Sequence, residues 1–175
     1  MSNAFAAPFF AAATLLVASG ILKLRDPGPP SRALEAAGLP GGPSSVRLLG
    51  LAEITLGTSS IVVPHPWAAT ALAVTYAVFA AFLVRLRARR PDASCGCAGE
   101  RELPPSLLHV AFDLVAAGSG VGLAVLREPG LPSILAGAPA LAAPLVLGIG
   151  AVAVLAAAAV TLVPAAFGSY RGSHS

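Results

Sequence analysis

Charge is the first thing this sequence lacks. Asp, Glu, Lys and Arg together supply 11% of its residues, against 56% hydrophobic residues, and the mean hydropathy is +0.81. A chain of that balance has too little polar surface to cover a water-soluble globule, which excludes an ordinary soluble domain. Period-2 alternation is missing from the apolar blocks, which argues against barrel strands. Basic residues are missing before the first apolar block, whereas Lys23 and Arg25 follow it. That block reads as a retained first helix with its amino terminus translocated, not as a signal peptide. The net charge of +3 comes from residues dispersed at block ends, without the interleaved aromatics that a single-strand binder needs, so no nucleic-acid partner is expected.

What is present is a series of apolar blocks separated by Pro, Gly and Arg. Each is near the roughly 20 residues that a helix needs to cross the hydrocarbon core, and each can satisfy its backbone hydrogen bonds internally as a helix. The spacing predicts helices over residues 5–24, 46–63, 67–84, 106–126 and 140–163. The fold class that follows is all-α: a polytopic transmembrane helical bundle forming one integral membrane domain over residues 1–175, with the lipid bilayer as its solvent. The fifth, Ala-rich helix is expected to pack on the outside of the other four. The stretch containing Pro27, Gly28, Pro29 and Pro30 is too long for a tight turn and is expected to lie on the membrane surface. Gly118 and Gly122 have the four-residue spacing that suits close helix packing, although a GC-rich genome would also enrich Gly and Ala.

The basic residues set the orientation. Of the eleven, Lys23, Arg25, Arg32 and Arg47 flank the first loop, Arg85, Arg87, Arg89, Arg90 and Arg101 fall in or beside the third, and Arg171 is in the tail. Only Arg127 is left for the opposite face. The positive-inside rule then places the first loop, the Cys95 loop and the carboxyl tail in the cytoplasm and the amino terminus outside, in a multi-pass protein of a bacterial inner membrane. Trp67 beside His65 reads as an aromatic anchor at the far interface.

Cysteine is nearly absent, and both copies fall in one short segment, Ser94-Cys95-Gly96-Cys97-Ala98-Gly99. By chance two cysteines fall so close in roughly a few per cent of chains of this length, so the pair counts as a signal. A Cys-Gly-Cys unit can close a small strained disulfide, more easily reduced than a structural bridge, with Gly96 giving the backbone latitude. Arg89, Arg90 and Arg101 are close in sequence and would favour the thiolate if close in space. The rival chemistry is a soft metal ion on the two thiolates with His109 as a third ligand; a closed site needs a fourth ligand, which is not obvious, so redox ranks above metal.

Four further ionisable residues lie within or at the edges of the helices: Lys23, Glu53, His109 and Asp113. Charge at that depth is expensive enough that a role is the default reading. Glu53 lies about two turns inside its helix and must be protonated, paired or solvated, with Lys23 on the antiparallel neighbour as its natural partner. The pair can equally be a structural device that fixes helix register. His109 and Asp113 are four residues apart, on one helix face. Near a helix start, they read as interfacial polar residues before they read as a proton relay.

These residues resemble the methylamine utilisation protein MauE family, within the broader DoxX-like group of small bacterial membrane proteins. The elements are Gly20-Ile21-Leu22-Lys23-Leu24-Arg25-Asp26-Pro27 at the end of the first helix, Glu53 followed by Gly57 in the second, and the Cys95–Cys97 segment before the fourth. Family proteins commonly have Phe after the second cysteine, where this chain has Ala98. They also tend to carry an Arg in the stretch corresponding to Val110-Ala111-Phe112-Asp113, where Phe112 stands. The resemblance implies a redox-associated inner-membrane protein of methylamine metabolism, linked in that family to maturation of a disulfide-rich periplasmic dehydrogenase subunit. With the cysteines on the cytoplasmic side, the pair would have to exchange electrons across the bilayer through a partner or a quinone.

Two classes of function remain in view. The preferred one is a thiol redox membrane protein with Cys95 and Cys97 as its reactive groups, a component of thiol-disulfide oxidoreduction whose partner is a thioredoxin-like, dehydrogenase or other redox protein. No cofactor motif is evident; a quinone is the candidate. The runner-up is a non-enzymatic membrane scaffold or small-solute carrier, in which the cysteines are replaceable.

Overall fold

The structure, a computed structural model, describes residues 5–62, 66–91, 93, 106–126, 131–137, 143, 146–155 and 158. The regular elements among them are helices: α1 (Ala6–Arg25), α2 (Gly28–Ala36), α3 (Pro43–Val62), α4 (Pro66–Arg89), α5 (Leu107–Leu126) and α6 (Leu131–Gly137), followed by a short apolar helix, Val146–Leu155. The helices α1, α3, α4 and α5 are long and apolar enough to cross a membrane. They match the first four expected segments. The chain is thus an all-α membrane protein.

The differences have local causes. The helix α4 runs on to Arg89, past the expected end at Val84, because arginine is a good helix former and its charge favours the last turn. Apolarity marks where a helix meets the membrane boundary, not where its hydrogen bonds stop. The helix α3 begins earlier than expected, at Pro43, since a proline at a helix start removes only an N–H that would have no intrahelical partner.

The proline-rich stretch forms α2. Asp26 Oδ1 accepts from the Gly28 N–H at 3.0 Å, which turns the chain, and prolines occupy the first turn of the helix that follows. Just past its C-cap Ala37, Gly38 takes a φ of 69°, in the left-handed region, and the Leu39 N–H reaches back to Leu34 O at 2.9 Å. Pro29, Pro30 and Ala33 are buried, while Arg32 and Glu35 face out.

Close backbone approach organises the bundle. A Cβ on Gly20 would lie 2.5 Å from Gly50 O, and one on Gly57 would lie 2.7 Å from Ala13 O, so α1 and α3 pack as an antiparallel pair through glycine. The helices α4 and α5 repeat the device at Gly120, where a Cβ would lie 2.8 Å from Ala69 O. The expected pair of glycines behaves differently. Gly122 meets the Phe5 ring, whereas Gly118 faces open space.

The core joins Phe9, Phe10 and Ala13 of α1 to Leu72 and Tyr76 of α4 and Ala116 of α5. Ile149 and Ala153 of the helix Val146–Leu155 are buried in that same core, so this helix packs on the bundle. The remainder of the expected fifth helix, residues 140–163, lies largely outside the described residues. Large apolar side chains such as Leu48, Val78, Val115 and Val125 point outward, while Glu53, His109, Asp113 and Ser119 are buried. That inversion of the soluble pattern is what lipid selects.

Because the four spans alternate in direction, the ends of α1 and α4, the starts of α3 and α5, and all of α2 share one end of the molecule. Arg85 Nε donates to Ala37 O at 2.8 Å, tying α4 to the end of α2 there. Every described Lys and Arg lies toward this end.

Candidate functional site

The inward stripe of α3 is Val46, Gly50, Glu53, Gly57 and Ser60, spaced by four, three, four and three residues. It is one helical face, and the glycines that bring it against α1 also carry Glu53 into the bundle. On α1 the matching face includes Leu16, Gly20 and Lys23.

Lys23 Nζ donates to Glu53 Oε2 at 2.9 Å, and its side chain is 11% exposed against 1% for Glu53. The expected partnership is therefore present in the fold. Lys23 Nζ also donates to Ser19 Oγ at 2.5 Å and sits 5.6 Å from the centroid of the Phe79 ring. The Ser19 hydroxyl lies close to the Glu53 carboxylate as well, completing a three-membered polar cluster. Glu53 Oε1 is buried and has no hydrogen-bond partner among the described residues. Pairing neutralises two charges that neither the core nor lipid would accept singly.

Tyr76 extends this cluster across α4. Its hydroxyl donates to Ala12 O at 2.7 Å, and its ring meets Phe79 at 5.9 Å and Phe112 at 6.1 Å, both edge to face. Through these ring contacts Tyr76 links α4 to Phe112 of α5, one residue before Asp113. His109 and Asp113 are buried at 6% exposure each, on the bundle face of α5. Ser106 precedes them as the cap: its Oγ accepts from the His109 N–H at 3.3 Å and lies 3.4 Å from His109 Nδ1.

Ser19, Tyr76 and Phe79 were not singled out in the sequence. Ser19 was findable, since it precedes Lys23 by one helical turn, and Tyr76 is the one tyrosine within an apolar block.

The family model of the methylamine utilisation protein MauE matches residues 1–127. The chain belongs to the MauE family. No curated protein and no solved structure matches it. The matched span takes in α1 through α5 and leaves α6 and the helix Val146–Leu155 outside. This is accordingly a multi-pass membrane protein associated with methylamine utilisation.

Cys95 and Cys97, in the connection between α4 and α5, lie outside the described residues, as do His65, Arg101 and Arg127. Trp67 opens α4 and is 58% exposed, as an interfacial anchor would be. Among the described residues, no group of three or more His, Cys, Asp or Glu side chains converges as a metal site would require.

Proposed function

We propose that this MauE-family protein is a thiol redox component of the bacterial inner membrane, exchanging electrons through Cys95 and Cys97 in support of partner-protein maturation or a membrane electron-transfer step. The observation that carries this reading is the placement of the sequence's only two cysteines, one glycine apart, in a connection that follows the Arg85, Arg87, Arg89 and Arg90 end of α4. Neighbouring guanidinium groups favour thiolate over thiol, and the thiolate is the reactive form.

The exchange balances without a further reagent. One thiolate attacks a partner disulfide and forms a mixed disulfide as the partner's first thiolate leaves. The second thiolate then displaces the partner's other sulfur. The partner ends as a dithiol, Cys95 and Cys97 end as a disulfide, and two electrons have passed. A thioredoxin-like dithiol reverses the cycle, and a quinone in the bilayer is an alternative acceptor for two electrons and two protons. By the positive-inside rule, the end carrying this connection faces the cytoplasm.

Mass spectrometry of the protein equilibrated in graded dithiol buffers tests the chemistry. It should show a reversible two-electron transition that disappears when either cysteine is replaced by serine. A pair that stays reduced under every poise would favour the scaffold or carrier reading, and a metal ion lost on serine replacement would favour the metal site.

A further inference from the structure

Lys23 is the sequence's only lysine, and its head turns inward although α1 ends two residues later at Arg25, where a flexible stem could carry the ammonium out to water. The group it carries is a primary alkylammonium. What receives it is what a free ion of that class would require: a carboxylate oxygen at 2.9 Å for the charge, a hydroxyl oxygen at 2.5 Å as a second acceptor, and an aromatic face 5.6 Å away. A third acceptor is at hand, because Glu53 Oε1 is buried and has no hydrogen-bond partner among the described residues. A carboxylate can accept from several N–H groups, and here one of its two oxygens takes the whole load.

We propose that Glu53, Ser19 and Phe79 form a recognition site for a small primary alkylammonium ion, with Lys23 as a tethered occupant that such an ion displaces. The exchange conserves charge at the site: one ammonium leaves as another arrives, so Glu53 is never buried without a counter-charge. The released Lys23 head moves toward the basic end of the bundle, a reach its four-carbon stem allows. The N–H donors select the ligand, because a quaternary ammonium has the charge but nothing to offer Ser19 or either carboxylate oxygen. This site lies where α1, α3 and α4 meet and is independent of the thiol chemistry proposed for the α4–α5 connection.

The single lysine supplies its own reporter. The full chain in detergent micelles, grown with ¹³C-labelled lysine, gives one lysine side-chain spectrum, and ethylammonium chloride is the probe. The site predicts a saturable shift of that signal toward the position of a solvated lysine, with no shift from tetramethylammonium chloride at equal ionic strength. In E53Q the lysine signal should start at the solvated position and ignore ethylammonium. In K23A, which removes the tethered competitor, ethylammonium binding read by saturation transfer should half-saturate at a concentration at least about tenfold lower, as expected when a buried competing ion pair is lost. An unmoved lysine signal in the unmodified chain overturns the proposal whether or not the variants fold. So does an equal response to both ammonium salts, or an ethylammonium response that survives in E53Q.

Discussion

Lys23 and Glu53 close a 2.9 Å ion pair across α1 and α3, at the level where Gly20 and Gly50 let the two backbones meet. Charge and small residues act together here. A Cβ on Gly50 would lie 2.8 Å from Gly20 O, so a larger residue would push apart the helices whose side chains neutralise each other.

The pair predicts non-additivity. Replacing one member leaves a buried charge unmatched, which costs about 3–5 kcal/mol, whereas removing both charges with apolar residues of similar volume is far milder. K23M and E53L should each lower the unfolding free energy in detergent, and the double variant should recover much of the loss. Strictly additive losses in that cycle would contradict the coupling.

The close approach predicts a contrast between glycines. G50A should destabilise the protein by about 1–3 kcal/mol, because the new methyl meets a backbone carbonyl that cannot move aside. G118A, with open space at its Cβ position, should stay within about 0.5 kcal/mol of the unmodified chain. Thermal unfolding of the two variants side by side checks this, and equal shifts would contradict the packing.

Tyr76 joins α4 to α1 through one hydrogen bond, from its hydroxyl to Ala12 O. Y76F keeps the ring contacts with Phe79 and Phe112 and removes that bond, so the expected loss is about 0.5–1.5 kcal/mol. A variant as stable as the parent would mean that the hydroxyl contributes nothing beyond its ring.

The sequence made the four spans and the Lys23–Glu53 partnership legible for the same reason: membrane solvent makes apolar length and buried charge conspicuous. Glu53 had few alternatives once it lay deep in a helix beside an antiparallel neighbour bearing a lysine. The helix α2 was harder to see, since its proline-rich start resembles a loop until the hydrogen bonds of Ser31 and Ala37 are traced. The roles of the glycines were also hidden. Spacing drew attention to Gly118, but whether a glycine meets a backbone or open space depends on which face its helix turns inward, and near-uniformly apolar helices carry little record of that. The inward burial of His109 and Asp113 was obscured in the same way, because nearness to a helix start says nothing about facing.

Orientation has its own test. Ten of the eleven basic residues belong to one side in the positive-inside reading. A membrane-impermeant thiol reagent applied to intact cells should therefore leave reduced Cys95 and Cys97 unlabelled and should label them after permeabilisation. Labelling from outside would reverse the topology.

The redox reading is tested most directly by growth on methylamine in cells whose only copy of the protein carries serine at both cysteine positions, with membrane insertion checked in isolated membranes. If Cys95 and Cys97 carry the chemistry, the double-serine protein inserts at normal levels and growth fails. Growth equal to that of cells with the unmodified chain would contradict the account.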